Sequence, residues 1–294
     1  MQANSAGAEE LIGTEISGIT LLSLHGRGHS GMVFIGFQKS LKRKIAVKLV
    51  PKGKVTAQCF MDEAETIAVL NHPNIVTVFD VGEYGDFLYI TMQLVEGDSL
   101  QAVIKRRLLH PVPSQRCLDL PTTLRVMART LDALSYAHGQ GVVHQDVKPG
   151  NILIENPGGR AFLVDFGIAR TELTEDQSKY IHGTPLYIAP EQAQGCVTDA
   201  RADVYSAGSA LWECLAGKLP VPALPGAKLV GIKAREPENF FQMTPMESSA
   251  WIDHELERII LKATAHDKEL RYESCAVFLE DLQKYAEKKL GGRV

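Results

Sequence analysis

Two carboxylates, an ammonium group and a carboxamide are carried by the stretch "HGQGVVHQDVKPGNILIENPGGRAFLVDFG", His138 to Gly167. They are Asp146, Lys148, Asn151 and Asp165. Two apolar runs, Ile152–Ile154 and Phe162–Val164, lie on either side of a Gly/Pro turn, with polar residues before the first and Asp165 after the second. This spacing predicts a hairpin whose tips bring charged groups to one cleft. Such groups suit a phosphoryl transfer, which needs charge neutralisation and alignment more than covalent help. Gln145 stands directly before Asp146.

Upstream, Gly26, Gly28 and Gly31 form a G-x-G-x-x-G pattern followed by Val33. A dinucleotide site of the Rossmann type needs a helix straight after such glycines. Here Met32–Phe37 continues as a strand-like run. A strand–glycine turn–strand can lay backbone N–H groups over phosphates without side-chain interference. Next comes "KIAVKLV", whose alternation sets Ile45, Val47 and Leu49 on one face and Ala46, Lys48 and Val50 on the other. The following segment, Thr56–Leu70, reads as a helix, with Glu63 on the face of Phe60 and Ile67. A carboxylate turned toward the protein needs a cationic partner, and Lys48 is the nearest candidate in sequence.

These groups require a scaffold of two kinds. From Ile19 to Tyr89 short β-branched runs alternate with glycine turns, whereas helical periodicity takes over from Ser99. Leu124, Ala128, Leu131 and Leu134 recur at helical spacing after Pro121, and Cys275–Lys289 repeats the pattern. A sheet-rich first third and a helical remainder predict an α+β protein of two lobes. Lys105–Leu120 reads as an irregular, basic surface insertion.

A net charge of −4 gives no electrostatic reason to expect nucleic acid as a partner. The basic run Lys39–Lys54 is interleaved with strand-like apolar residues and reads as a solvated hairpin face. Cys59, Cys117, Cys196, Cys214 and Cys275 are odd in number and contain no CxxC pair, which suits a reducing, cytoplasmic setting. The start, MQANSAGAEE, lacks the regions of a signal peptide. No apolar stretch approaches the roughly 20 residues of a membrane span, so a soluble chain is expected. His25, His29, His110, His182 and His266 show no metal-ligand spacing.

Taken in order, the motifs resemble a bacterial, eukaryote-like (Hanks-type) serine/threonine protein kinase. They are the glycine loop Gly26–Val33, Ala46-Val47-Lys48, Glu63, the loop His144–Asn151, Asp165-Phe166-Gly167 and Ala189-Pro190-Glu191, with "NHPNIV" and "GTPLYIAPEQ" between them. The resemblance runs from Ile12 to Leu282. Residues 1–10 are small and polar and read as a mobile stretch, and the resemblance implies a kinase domain over 11–290: a sheet lobe at 11–92, a hinge at 93–96 and a helical lobe at 97–290. It implies ATP and Mg²⁺ (or Mn²⁺) as cofactors, and protein substrates with Ser/Thr acceptors. It also implies copies that meet to phosphorylate one another.

The resemblance further implies a role for each residue. Lys48, held by Glu63, binds the α- and β-phosphates; Asn151 and Asp165 hold the metal. Asp146 orients the substrate hydroxyl and accepts its proton, and Lys148 neutralises the γ-phosphate. ATP is cradled by His25, Gly26, Arg27, Gly28, His29, Ser30, Gly31 and Met32. Its base is sandwiched by Val33, Ala46 and Leu153, beside the gatekeeper Met92 and the backbone of Gln93 to Val95. Thr184 belongs to the peptide-docking loop and, with Lys148, favours Ser/Thr over Tyr. Asp203 braces the catalytic loop, and Glu191 with Arg271 forms a buried ion pair. Ser178 and Thr174 are phosphosite candidates.

Gln145 departs from the pattern, because arginine usually stands there and receives a phosphate from the activation segment. Glutamine cannot form a charged bidentate clamp. The departure touches regulation rather than the transfer machinery. A nucleotide-binding pseudokinase or regulatory scaffold with little or no catalysis is the alternative reading, although Lys48, Asp146 and Asp165 are all present; a small-molecule kinase is a third, against which the peptide-docking segment "HGTPLYIAPEQ" speaks.

Overall fold

The structure, a computed structural model, describes residues 9–28, 31–54, 56–166 and 184–292, with the main chain alone at Lys54, Cys59 and Glu63. The chain divides into two compact units. One comprises residues up to 71 together with 76–96; the other comprises 72–75, 97–166 and the described residues from 184 onward.

The first unit is built on an antiparallel sheet. Its strands are β1 (Glu15–Ile16), β2 (Ile19–Gly28), β3 (Gly31–Gln38), β4 (Arg43–Pro51), β5 (Val78–Tyr84) and β6 (Phe87–Met92), in the order β1-β2-β3-β4-β6-β5. The period-2 pattern of β4 explains its inner place: Ile45, Val47 and Leu49 join Ile16, Ile19, Leu21, Phe34 and Tyr89 in one apolar cluster. Its other face is also covered, so Ala46, Lys48 and Val50 are buried as well. Helix α1 (Ala57–Ala68), slightly shorter than its sequence pattern, packs on β5 and β6. It buries Phe60, Ala64 and Ile67, which recur every three or four residues. Gly31 is required by packing, since a Cβ there would meet the Leu49 carbonyl oxygen at 2.2 Å.

The second unit is mainly helical. It opens with β7 (Gly97–Ser99) and α2 (Leu100–Leu108), then α3 (Leu120–Gly139), β8 (Ile152–Glu155) and β9 (Ala161–Leu163). There follow α4 (Pro190–Ala193), α5 (Arg201–Ala216), α6 (Gly226–Arg235), α7 (Pro245–Ser248), α8 (His254–Ala263) and α9 (Cys275–Leu290). Asp119 caps α3 by accepting the Thr122 N–H at 2.9 Å, with Pro121 in the first turn. Helix α5 buries almost its whole circumference, which makes it the central strut of this unit. Asp203, in its first turn, is therefore a carboxylate placed in the core.

One expectation needs correction. Lys105–Leu108 is not irregular but completes α2, whose Ser99 cap accepts from the Ala102 N–H at 3.2 Å. The end of the insertion is pinned too: Leu118 is buried and its N–H reaches the Cys214 carbonyl at 3.0 Å. Among the described residues no helix is long and apolar enough to cross a membrane.

Candidate active site

The hairpin expected from the opening stretch forms as β8 and β9, which pair antiparallel with Ile152 opposite Leu163. Their pairing sets Asn151 beside Val164, whose N–H donates to the Asn151 carbonyl at 3.0 Å. The loop before β8 then folds back on itself. The Asn151 carboxamide donates to the Asp146 carbonyl at 2.8 Å and to Asp146 Oδ2 at 3.0 Å. Lys148 Nζ lies 2.5 Å from Asp146 Oδ2 and 2.7 Å from Thr184 Oγ1. The Thr184 N–H and hydroxyl reach Asp146 Oδ1 at 3.2 and 3.3 Å. Three predicted residues, Lys148, Asn151 and Thr184, thus converge on the half-buried Asp146 carboxylate.

Asp203 holds this loop from within α5. It is fully buried and accepts the backbone N–H groups of His144 and Gln145, both at 2.8 Å, together with His138 Nε2 at 2.7 Å. His144 adds a second brace. Its Nδ1 accepts the Asp146 N–H at 3.2 Å, which leaves Nε2 to donate to the Val164 carbonyl at 3.0 Å. Its ring packs on Phe166 with centroids 4.5 Å apart. Gln145 and Asp165 both adopt left-handed backbone, at φ 62° and 61°. That conformation costs about 1–2 kcal/mol for a side chain with a Cβ, so the surrounding bonds must enforce it.

In the first unit, Lys48 is 3% exposed and lies in register between Val33 on β3 and Ile90 on β6. Ala46 shares its face and pairs with Met92, and Val95 is buried. The Gln93 N–H is already given to the Thr77 carbonyl at 2.9 Å, which narrows what Gln93 can offer a ligand to its carbonyl. Gly26 opposes Val33, Arg27 opposes Met32 and Gly28 opposes Gly31 across the β2–β3 hairpin. A Cβ on Gly26 or Gly28 would meet nothing within 4 Å, so these two glycines leave open space that packing does not demand. His25 is exposed, and Leu153 lies half-buried on β8 opposite Phe162. His29, Ser30, Thr174, Ser178 and the Glu63 side chain lie outside the described residues.

The residues present fit a hard cation with anionic oxygens. Both N–H bonds of the Asn151 carboxamide point at Asp146, which leaves its oxygen as a ligand atom, and Asp165 adds a carboxylate one residue beyond the Val164 that Asn151 holds. A family model for the protein kinase domain matches residues 19–288. This chain belongs to the protein kinase family. Serine/threonine-protein kinase PrkC of Bacillus subtilis is 32% identical over 284 residues, covering 93% of this chain and 41% of that protein. Serine/threonine-protein kinase PknB of Mycobacterium leprae is 33% identical over 268 residues, covering 87% and 41%. The crystal structure of the Mycobacterium tuberculosis PknI kinase domain matches with a TM-score of 0.72 at 25% identity, covering 94% of this chain and 98% of that one. The chain therefore spans less than half the length of these two curated relatives.

Around the His144–Asn151 loop lie supports of two kinds. Arg271 meets Glu191 in a buried bidentate pair at 2.7 and 2.8 Å. Others were not anticipated: His138 on Asp203, Gln192 on the Gln145 carbonyl, Thr198 on the Gln145 side chain, and Lys233. Lys233 is completely buried on α6 and donates to the Leu186 carbonyl at 2.9 Å, with Nζ 3.8 Å from the centre of the Phe240 ring. Burial, helped by the Arg271 charge, pushes its pKa well below the ordinary lysine range.

A stability effect follows for Lys233. Between its lowered folded pKa and the unfolded value of about 10.4, the unfolded chain holds a proton that the folded chain lacks. Wild-type stability therefore gains from this group as pH rises through that window and loses as pH falls. Lys233→Met removes the dependence and leaves the Leu186 carbonyl unpaired, at a cost of about 1–3 kcal/mol. Urea midpoints from pH 7 to 10 check this: the gap between wild type and variant widens with pH. A constant gap contradicts it.

Proposed function

We propose that this domain transfers the γ-phosphate of ATP to serine or threonine hydroxyls of protein substrates. The observation that carries the reading is the convergence of Lys148, Asn151 and Thr184 on the Asp146 carboxylate, over a backbone clamped by Asp203. Asp146 orients the acceptor hydroxyl and takes its proton. Lys148 neutralises the γ-phosphate, and Lys48 the α- and β-phosphates. Asn151 and Asp165 are the ligands for Mg²⁺ or Mn²⁺, which when bound neutralises phosphate charge and aligns the transferring group. Gly26 and Gly28 let backbone N–H groups approach the phosphates, while Ala46, Val33 and Leu153 contact the base. The contact of the Thr184 hydroxyl with Lys148 supports a preference for Ser/Thr acceptors.

The test is incubation with labelled ATP and Mg²⁺ beside a protein acceptor, followed by phosphoamino-acid analysis and mapping of label on the chain itself. Phosphoserine or phosphothreonine is the expected product. Nucleotide binding without any transfer overturns the reading in favour of a pseudokinase.

Gln145 extends the proposal to regulation. Its neutral amide cannot clamp a phosphate as a guanidinium does, and Glu172, Glu175 and Asp176 repel charge added at Ser178. Ser178 or Thr174 is modified when two copies meet, yet the modification is not an obligatory on-switch. Phosphatase-treated wild type keeps most of its initial rate, and so does Ser178→Ala, whereas Gln145→Arg makes the rate depend more on phosphorylation. An enzyme that dies on dephosphorylation and recovers on rephosphorylation sinks this part.

A further inference from the structure

The left-handed Gln145 is held at three points. Its N–H donates to Asp203 Oδ1 at 2.8 Å and its carbonyl accepts from Gln192 Nε2 at 3.0 Å. Its side-chain Nε2 donates to Thr198 Oγ1 at 3.1 Å. The first two bonds fix its backbone. The third joins the loop to the segment after α4, and that segment is itself anchored. Asp199 accepts the Arg201 backbone N–H at 2.9 Å and Arg201 Nη2 at 2.9 Å, and Lys268 Nζ lies 3.3 Å away. These cations hold the Asp199 carboxyl well below the usual carboxylate range. Arg271, in its buried pair with Glu191, also donates to the Arg201 carbonyl at 3.0 Å.

We infer that Thr198 is a positioning residue: its hydrogen bond to Gln145 is an uncharged strut that holds the residue before Asp146 against the Asp199–Arg201 post. The inference rests on the kinase reading above, because Asp146 matters only if it serves the acceptor hydroxyl. A neutral strut needs no added charge to form. Gln145 keeps its strained φ, and Asp146 its direction, without a modified side chain nearby.

The test compares wild type with Thr198→Val, which keeps shape but removes the hydroxyl, and with Thr198→Ser, which restores it. Steady-state kinetics and backbone hydrogen exchange over residues 143–148 are measured on all three. Losing one hydrogen bond of ordinary strength predicts about a three- to tenfold lower kcat in Thr198→Val, with KM for ATP unchanged. Exchange in the loop should quicken, and Thr198→Ser should recover both readouts. Wild-type kcat and unchanged exchange in Thr198→Val overturn the strut, as does a loss that Thr198→Ser fails to restore. If wild type transfers no phosphate, the kinase reading falls instead, while the exchange data still decide the strut.

Discussion

Asp146→Asn lowers phosphate transfer at least about 100-fold while leaving nucleotide affinity largely intact, the size expected when a general base is removed. The carboxylate accepts from Lys148, Asn151 and Thr184 at once, and an acceptor-only group with two oxygens can do so. A carboxamide offers one acceptor oxygen and turns its NH₂ toward at least one of those donors. The substitution thus removes the proton acceptor and unsettles its neighbours in the same step. The loop backbone survives, because Asp203 grips the His144 and Gln145 N–H groups rather than the Asp146 side chain. Lys48, the proposed phosphate ligand, lies on β4 away from this loop in sequence, so its contribution to nucleotide affinity is expected to persist. Single-turnover transfer beside a nucleotide titration separates the two quantities. Near wild-type transfer removes Asp146 from the role.

What the sequence made legible was local. The alternation in "KIAVKLV" places Ile45, Val47 and Leu49 in the apolar cluster because a strand's period of two is a property of the backbone. The β8–β9 hairpin was readable because its paired strands are close in sequence, and within the His144–Asn151 loop Lys148 and Asn151 lie two and five residues from Asp146. Apart from Asp203, which came through family resemblance, the supports of that loop were not. Thr198 lies 53 residues from Gln145, Gln192 lies 47 away, and His138 lies 65 from Asp203. No periodicity connects such pairs, because only the packing of α3, α4 and α5 brings them together. Lys233 was hidden differently: nothing in "GIKAREP" marks it as a core residue, and only the fold buries it. The Glu191–Arg271 pair spans 80 residues and was reached through family resemblance rather than through pattern.

That pair carries the largest expected effect on stability. Arg271→Met should cost about 3–5 kcal/mol, because it leaves the Glu191 carboxylate buried without its counter-charge. The guanidinium also donates to the Ala265 carbonyl at 2.7 Å, the Arg201 carbonyl at 3.0 Å and the His266 carbonyl at 3.2 Å, so one side chain ties four places in the helical unit. Most of the cost should come from the stranded charge rather than from lost attraction, since desolvation consumes most of the Coulombic gain of a buried pair. The double variant Arg271→Met, Glu191→Leu distinguishes the two. If the charge is the cause, it recovers much of the loss; if the three carbonyl bonds are the cause, it recovers little. Urea midpoints for both single variants and the double complete the cycle. A single Arg271→Met variant within about 0.5 kcal/mol of wild type, the range of an ordinary surface substitution, contradicts the assignment. Because Arg271 also holds the Arg201 carbonyl, its loss should loosen Asp199 and with it Thr198, so transfer falls in the single variant even under conditions where the fold survives.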